Sequence, residues 1–280
     1  MDASTLRVGP GFRLADVDPG STPGFATGGT HSPKKRGTAE LEAHVDRLAE
    51  LQERLFAAST GGASDALLLI VQGMDTAGKG GIMRHVVGAV DPQGVDITAF
   101  KKPTEEELAH DFLWRIERRA PHPGVIGVFD RSHYEDVLIG RVRALASAEE
   151  IERRYGAIVD FEHGLAERGI RVVKVMLHVS RDEQKARLGE RLERPDKHWK
   201  YNPGDVDERE LWDDYQSAYQ LALERTSTDE APWHVVPADR KWFARLAVQQ
   251  LLIDALEAID PQWPAADFDV EHEKERLAAS

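Results

Sequence analysis

The chain contains no cysteine among its 280 residues. Disulfides, thiolate zinc sites and cysteine nucleophiles are therefore excluded. Long apolar runs are missing too: nothing approaches the roughly 20 residues that span a bilayer, and the first residues lack a signal peptide's apolar core. A soluble, cytoplasmic protein with no membrane partner is the expectation. Positive charge is scarce overall, since 36 Lys and Arg face 49 Asp and Glu for a net charge of −13. That balance argues against a general nucleic-acid binder, which needs a basic face. It does not forbid a polyanion held in a local basic channel, so where the basic residues cluster matters more than their total.

What is there is led by the stretch Ala66–Gly81, ALLLIVQGMDTAGKGG. Its unbroken apolar run, Ala66–Val71, predicts a strand buried on both faces, as in a parallel sheet. A glycine-rich turn to Gly78 and Lys79 follows, and then helical spacing at Ile82, Val86 and Val87. Strand, glycine loop with lysine, helix is the order of a phosphate cradle: backbone N–H groups converge on anionic oxygens and the helix adds its positive end. Gly73, Ala77, Gly78, Gly80 and Gly81 are the expected phosphate-binding positions, and Lys79 supplies a point charge for the outer phosphates. Gly73-x-x-x-x-Gly78-Lys79 matches the Walker A consensus except at its last position. There Gly80 replaces the Ser or Thr whose hydroxyl would reach magnesium, and the loop carries an additional acid, Asp75. Read together, these departures make Asp75 a metal ligand or an orienter of the acceptor oxygen. A plain glycine-rich turn stabilised by Asp75 is the alternative; the flanking strand and helix favour the cradle.

Around this centre the chain divides into three parts. Residues 1–37, rich in Gly, Pro, Ser and Thr, read as an extended or partly disordered N-terminal arm, a solvated leader. Residues 38–260 read as one α/β domain and 261–280 as a peripheral acidic tail. Within the domain an amphipathic helix is predicted from Thr38 to Ala58, with later strands at Val95–Phe100, Gly124–Phe129, Arg171–Val179 and Trp233–Val236. Further helices are predicted from Thr104 to about Arg119, from Ser132 to about Leu145, from about Asp207 to Arg225, and from Arg240 to Ile259. Trp212, Tyr215 and Tyr219 of the third read as core. Strands alternating with helices give a parallel sheet covered on both faces.

Other candidates fall where such a sheet places its ligands. Lys101 and Lys102 follow the second strand at its carboxyl end. The third strand ends in Asp130-Arg131, a Walker B pattern in which Asp130 meets the metal carried by the phosphates and Arg131 clamps phosphate. Ser132-x-x-Glu135 reads either as a capping box or with Glu135 as a third metal ligand beside Asp75 and Asp130. His133 has no partner acid in view and reads as packing rather than as a nucleophile. From Arg181 to about residue 206 a basic helical hairpin, with Arg187, Arg191 and Lys197, reads as a lid closing on phosphates. Interleaved acids keep a salt-bridged exposed helix as its alternative.

Together, GMDTAGKGG, FKKPT, FDRSHYEDVL, RPDKHWKY and TSTDEAPWHVVPADRKWFAR resemble the polyphosphate kinase 2 family over roughly Thr38 to Ile259. The resemblance implies a thymidylate-kinase-like P-loop core with a mobile lid. It also implies reversible phosphoryl transfer between inorganic polyphosphate and a nucleotide, with magnesium or manganese. Asp75 and Lys79 match the family's Walker A acid and lysine, Asp130 and Arg131 its Walker B pair, and Arg187 and Arg191 its lid. The segment Ser132–Leu138 is more like members acting on both nucleoside mono- and diphosphates. ADP/ATP, AMP and the guanine equivalents are thus expected partners, and a homodimer or homotetramer the expected assembly, with apolar positions of the Thr38–Ala58 helix suited to an interface. Two alternatives remain: an ATP-dependent nucleoside monophosphate kinase, and a non-catalytic P-loop nucleotide-sensing module in which Gly80 marks a decayed metal site.

Overall fold

Five stretches of sequence become the strands of a single all-parallel sheet, ordered β2-β3-β1-β4-β5, in the computed structural model, which describes residues 1–26 and 28–280. The strands are β1 Ala66–Gly73, β2 Val95–Ala99, β3 Ile126–Asp130, β4 Ile170–His178 and β5 Trp233–Pro237. Every residue of the central β1 is buried, which is why its sequence shows no polar alternation. Edge strand β2 is largely exposed. Register fixes the geometry that matters for function: Val71 of β1 lies opposite Asp130 of β3, and Gly73 opposite Leu177 of β4. The glycine loop and the acid that ends β3 therefore leave the sheet side by side, at the carboxyl edge where such sheets bind ligands.

Helices flank the sheet in two groups. Helix α11 (Lys241–Ile259), apolar almost all round, packs on β1, β4 and β5, and also against α1 (Pro33–Ala43), α2 (Val45–Thr60) and α3 (Lys79–His85). Helices α7 (Ala148–Glu167) and α10 (Trp212–Thr226) pack together, with α7 on β4. The connections carry the short helices α4 (Glu105–Leu108), α5 (Trp114–Glu117) and α6 (Ile139–Val142), then α8 (Arg181–Glu193) and α9 (Gly204–Glu210). The exposed α12 (Val270–Ala278) closes the chain. No helix among the described residues is long and apolar enough to cross a membrane.

Several expectations are corrected. The N-terminal segment is no solvated leader: Ala3, Leu6, Val8, Leu14 and Phe25 are buried in the common core. Arg7 forms an antiparallel bridge to His234, and the Val8 N–H donates to the Trp233 carbonyl. The segment thus covers the edge of β5, whose unpaired backbone would otherwise be open. Thr27, within the expected arm, lies outside the described residues.

The helix expected over 38–58 is two, broken at His44, and Leu48, Leu51 and Leu55 are buried, so this stripe belongs to the core rather than to a free interface. The 104–119 helix is interrupted where the Asp111 carboxylate accepts from the Leu113 N–H, a local bond that competes with the helix. The 207–225 helix starts earlier and breaks at Leu211, because Asn202-Pro203 initiates α9 instead of ending structure.

Candidate active site

The loop between β1 and α3 has the strained backbone of a phosphate cradle. Gly78 takes φ +124°, which only glycine adopts readily, and Thr76 sits at +61°, a conformation that costs a non-glycine residue about 1–3 kcal/mol. Residues of α8 hold that shape. The Gln184 amide donates to the Asp75 carbonyl at 3.1 Å. All five N–H donors of buried Arg187 are engaged: Nε with Glu183, and the two terminal nitrogens with the carbonyls of Thr76, Ala77, Ala238 and Asp239. Expected in the lid, Arg187 is placed here as a brace under the cradle, with no donor left over. Lys79 folds back so that its Nζ donates to the Gly73 carbonyl at 2.5 Å. Burial lowers its pKa, while the nearby Asp75 opposes the shift.

Across the loop, Arg131 also has a left-handed backbone, φ +65°, and its guanidinium donates to Asp75 Oδ1 at 3.0 Å. Burial works against its charge, but Glu135, Asp75 and Asp130 outweigh it and raise its pKa. The expected capping box at Ser132 does not form. Ser132 Oγ accepts from the Tyr134 N–H within a 3₁₀ turn (133–136), leaving Glu135 free to face the site. Burial raises the Glu135 pKa against the pull of Arg131 and Lys79. The Asp130 carboxylate makes no hydrogen bond among the described residues.

Two cavities flank the loop and share Asp75. The first, about 390 Å³, is lined by the cradle, Asp130, Arg187, Arg191 and Lys197. It also collects Lys200 from the expected basic hairpin, and Arg84, Lys241 and Arg245, which sequence reasoning did not single out, so eight basic residues face Asp75, Asp130 and Glu190. Lys241 and Arg245 carried one legible signal: they lie in the first turns of α11, where a helix dipole disfavours cations.

The second cavity, about 260 Å³, is lined by Asp75, Glu135, Asp205, Glu208 and Arg131 with Tyr215 and Tyr219. The two tyrosines, read as core, therefore line a cavity as well; Tyr215 donates to Glu208 at 2.6 Å. Lys101 and Lys102 are exposed and line neither cavity. Their strand, β2, lies two places from β1, about 10 Å away at usual strand spacing. Asp75, Asp130 and Glu135 do not make a ready cage: among the described residues no group of three His, Asp or Glu side chains is placed to hold a metal. Asp130 and Glu135 line different cavities. An all-oxygen set of one or two carboxylates suits magnesium or manganese that keeps phosphate and water as its other ligands.

The family model described as Polyphosphate kinase 2 (PPK2) matches residues 31–264. The chain belongs to the polyphosphate kinase 2 family. The AMP/ADP-polyphosphate phosphotransferase of Meiothermus ruber is 42% identical over 253 residues, 90% of this chain and 91% of that protein. The ADP-polyphosphate phosphotransferase of Rhodopseudomonas palustris is 43% identical over 236 residues, 80% of each chain. The crystal structure of polyphosphate kinase 2 from Arthrobacter aurescens TC1 is 61% identical, with a TM-score of 0.95 over 99% of this chain and 96% of that one. Membership of the polyphosphate kinase 2 family bears out the P-loop kinase fold. It favours neither the ATP-only monophosphate kinase nor the non-catalytic module.

Proposed function

We propose that this member of the polyphosphate kinase 2 family transfers the terminal phosphoryl group of inorganic polyphosphate, held in the basic cavity, to a nucleotide held in the acidic one. The observation that carries the assignment is the pair of oppositely charged cavities meeting at Asp75. A polyanion needs many cations in series, and the first cavity supplies them in a chain that is acidic overall. The second offers two tyrosine rings, which suit a base and ribose, and acids suited to a phosphate-borne cation.

An oxygen of the acceptor's terminal phosphate attacks the terminal phosphorus of the polymer. The bridging P–O bond breaks, and the shortened polymer leaves as a phosphate anion. No proton need move, because the attacking oxygen is already ionised at neutral pH, so no histidine is required as base. The protein's task is in-line positioning and charge neutralisation. Lys79, released from the Gly73 carbonyl, takes the transferring phosphate; Arg131 spans the gap between the cavities and steadies the acceptor phosphate. Asp75 and Asp130 would hold magnesium or manganese, which would supply further charge neutralisation. The outer half of the hairpin after β4, with Arg191 and Lys197, closes over the donor, while Gln184 and Arg187 anchor its base.

The test is phosphorus NMR of the purified protein with magnesium and polyphosphate, given ADP or AMP and no ATP. ATP formed from ADP supports the reading. ADP formed from AMP extends it to monophosphates, the range expected from Ser132–Leu138 and matching the name of the Meiothermus ruber relative. No transfer from polyphosphate, with transfer to AMP in a parallel sample given ATP in its place, would overturn it.

A further inference from the structure

The turn that carries Arg131 and Glu135 has a second side, facing away from both cavities into a buried polar network. Tyr134, His133 and Lys174 are fully buried and Glu162 is 2% exposed. Lys174 sits in the middle of β4, opposite Ile70 of β1 and Trp233 of β5. Its ammonium donates to Glu162 Oε2 at 2.5 Å, to the Thr226 carbonyl at 2.6 Å and to the Tyr134 hydroxyl at 3.1 Å, which uses all three N–H groups. The Tyr134 hydroxyl donates to Glu162 Oε1 at 2.7 Å, and His133 Nε2 lies 3.4 Å from the same oxygen. One closed network thus ties the turn to α7, β4 and the end of α10.

Stability does not explain this arrangement. Two charges taken out of water into the centre of a sheet cost several kcal/mol each, and apolar residues of similar volume often do as well or better. What the network adds is direction. Arg131 keeps a backbone conformation that persists only where its surroundings over-determine it. From the front the turn is held lightly, by Gln72 Nε2 on Ser132 Oγ at 3.3 Å and by Arg131 on Asp75. From behind it is held by Tyr134, while Arg154 donates to the Asp136 carbonyl at 3.0 Å at its far end. If the turn rolled about its axis, Arg131 would leave Asp75 and Glu135 would leave the acceptor cavity.

We propose that Lys174 and Glu162 are positioning residues for the transfer: through the Tyr134 hydroxyl they lock the turn that aims Arg131 and Glu135 at the acceptor. The inference rests on the phosphotransfer reading above.

Tyr134→Phe removes only the hydroxyl, and the double variant Lys174→Met with Glu162→Leu replaces the pair by apolar groups. Thermal midpoint, kcat, and KM for ADP and for polyphosphate are measured for the parent and both variants. The expected result is cooperative unfolding with kcat lowered about 10- to 100-fold, the scale of a misplacement of about 1 Å. KM for ADP should rise, and KM for polyphosphate should stay within about twofold, since the donor cavity lies on the other side of Asp75. A merely structural network would shift the midpoint and leave kcat per folded molecule and KM for ADP unchanged; that outcome in either folded variant overturns the proposal. If the double variant does not fold, Tyr134→Phe decides alone. An inactive parent would sink the phosphotransfer reading and this inference with it, whereas an active parent with parent-like variants sinks only the inference.

Discussion

Asp130 and Arg187 are both charged residues beside the cradle, yet their surroundings assign them opposite jobs. The Asp130 carboxylate, at the end of β3, lines the basic cavity without a hydrogen bond among the described residues, so it holds no part of the fold in place. Asp130→Asn should lower turnover by about 10²- to 10³-fold, the scale of losing one charge-stabilising group. Its thermal midpoint, read by calorimetry, should match the parent's. Arg187 is the reverse case. Arg187→Lys replaces a five-donor fork by three donors on a flexible stem, leaving carbonyls of the cradle and of Ala238 unpaired at about 1–3 kcal/mol each. Denaturant unfolding should show that loss of stability. Were Arg187 instead a phosphate ligand with slack donors, KM for polyphosphate would rise and stability would hold.

At the scale of elements, the N-terminal segment and α1 are tied to the sheet by specific contacts. Leu6 is 3% exposed and packs in the core under the β5 edge, so Leu6→Ala should cost about 2–5 kcal/mol in chemical denaturation. A free leader would tolerate the change. Gly37 lies inside α1 where it meets α11, and a Cβ there would stand 2.2 Å from the Trp242 ring. Helix propensity favours Gly37→Ala by about 1 kcal/mol, but overpacking a tight contact costs about 1–3 kcal/mol. With so short an approach the clash wins, and the midpoint should fall.

For the whole molecule, pH acts through groups whose burial pulls in opposite directions. Burial lowers the His234 pKa from 6.5 to about 4. The folded state stays neutral there while the unfolded chain takes up a proton, so stability drains away as pH falls from 6.5 towards 4. Burial raises the Asp136 pKa from 3.8 to about 6, against Arg154 and Arg115. That contribution is full below 3.8 and is lost as pH rises through 6. Midpoints between pH 4 and 7 should therefore show His234→Gln gaining on the parent as the medium acidifies. Asp136→Asn should gain as it becomes less acid.

Local chemistry made much of this protein legible from its sequence. The buried strand, the glycine turn, Lys79 and the acid ending β3 declare themselves because strand, loop and helix are set by neighbours in the chain, and the parallel register then forces Asp130 beside the cradle. The missing cysteines excluded disulfides and thiolate chemistry by composition alone. Only the tertiary structure decided which distant side chains converge. Lys241 and Arg245 reach the basic cavity from a helix more than 160 residues beyond Lys79. Arg187 turns its donors onto cradle carbonyls rather than outward, and Glu162 meets Lys174 behind the turn of Tyr134. Periodicity reports which face a residue occupies on its own element. It does not report which partner that face meets, and the pairing of charge across the fold is what builds the two cavities and the support behind them.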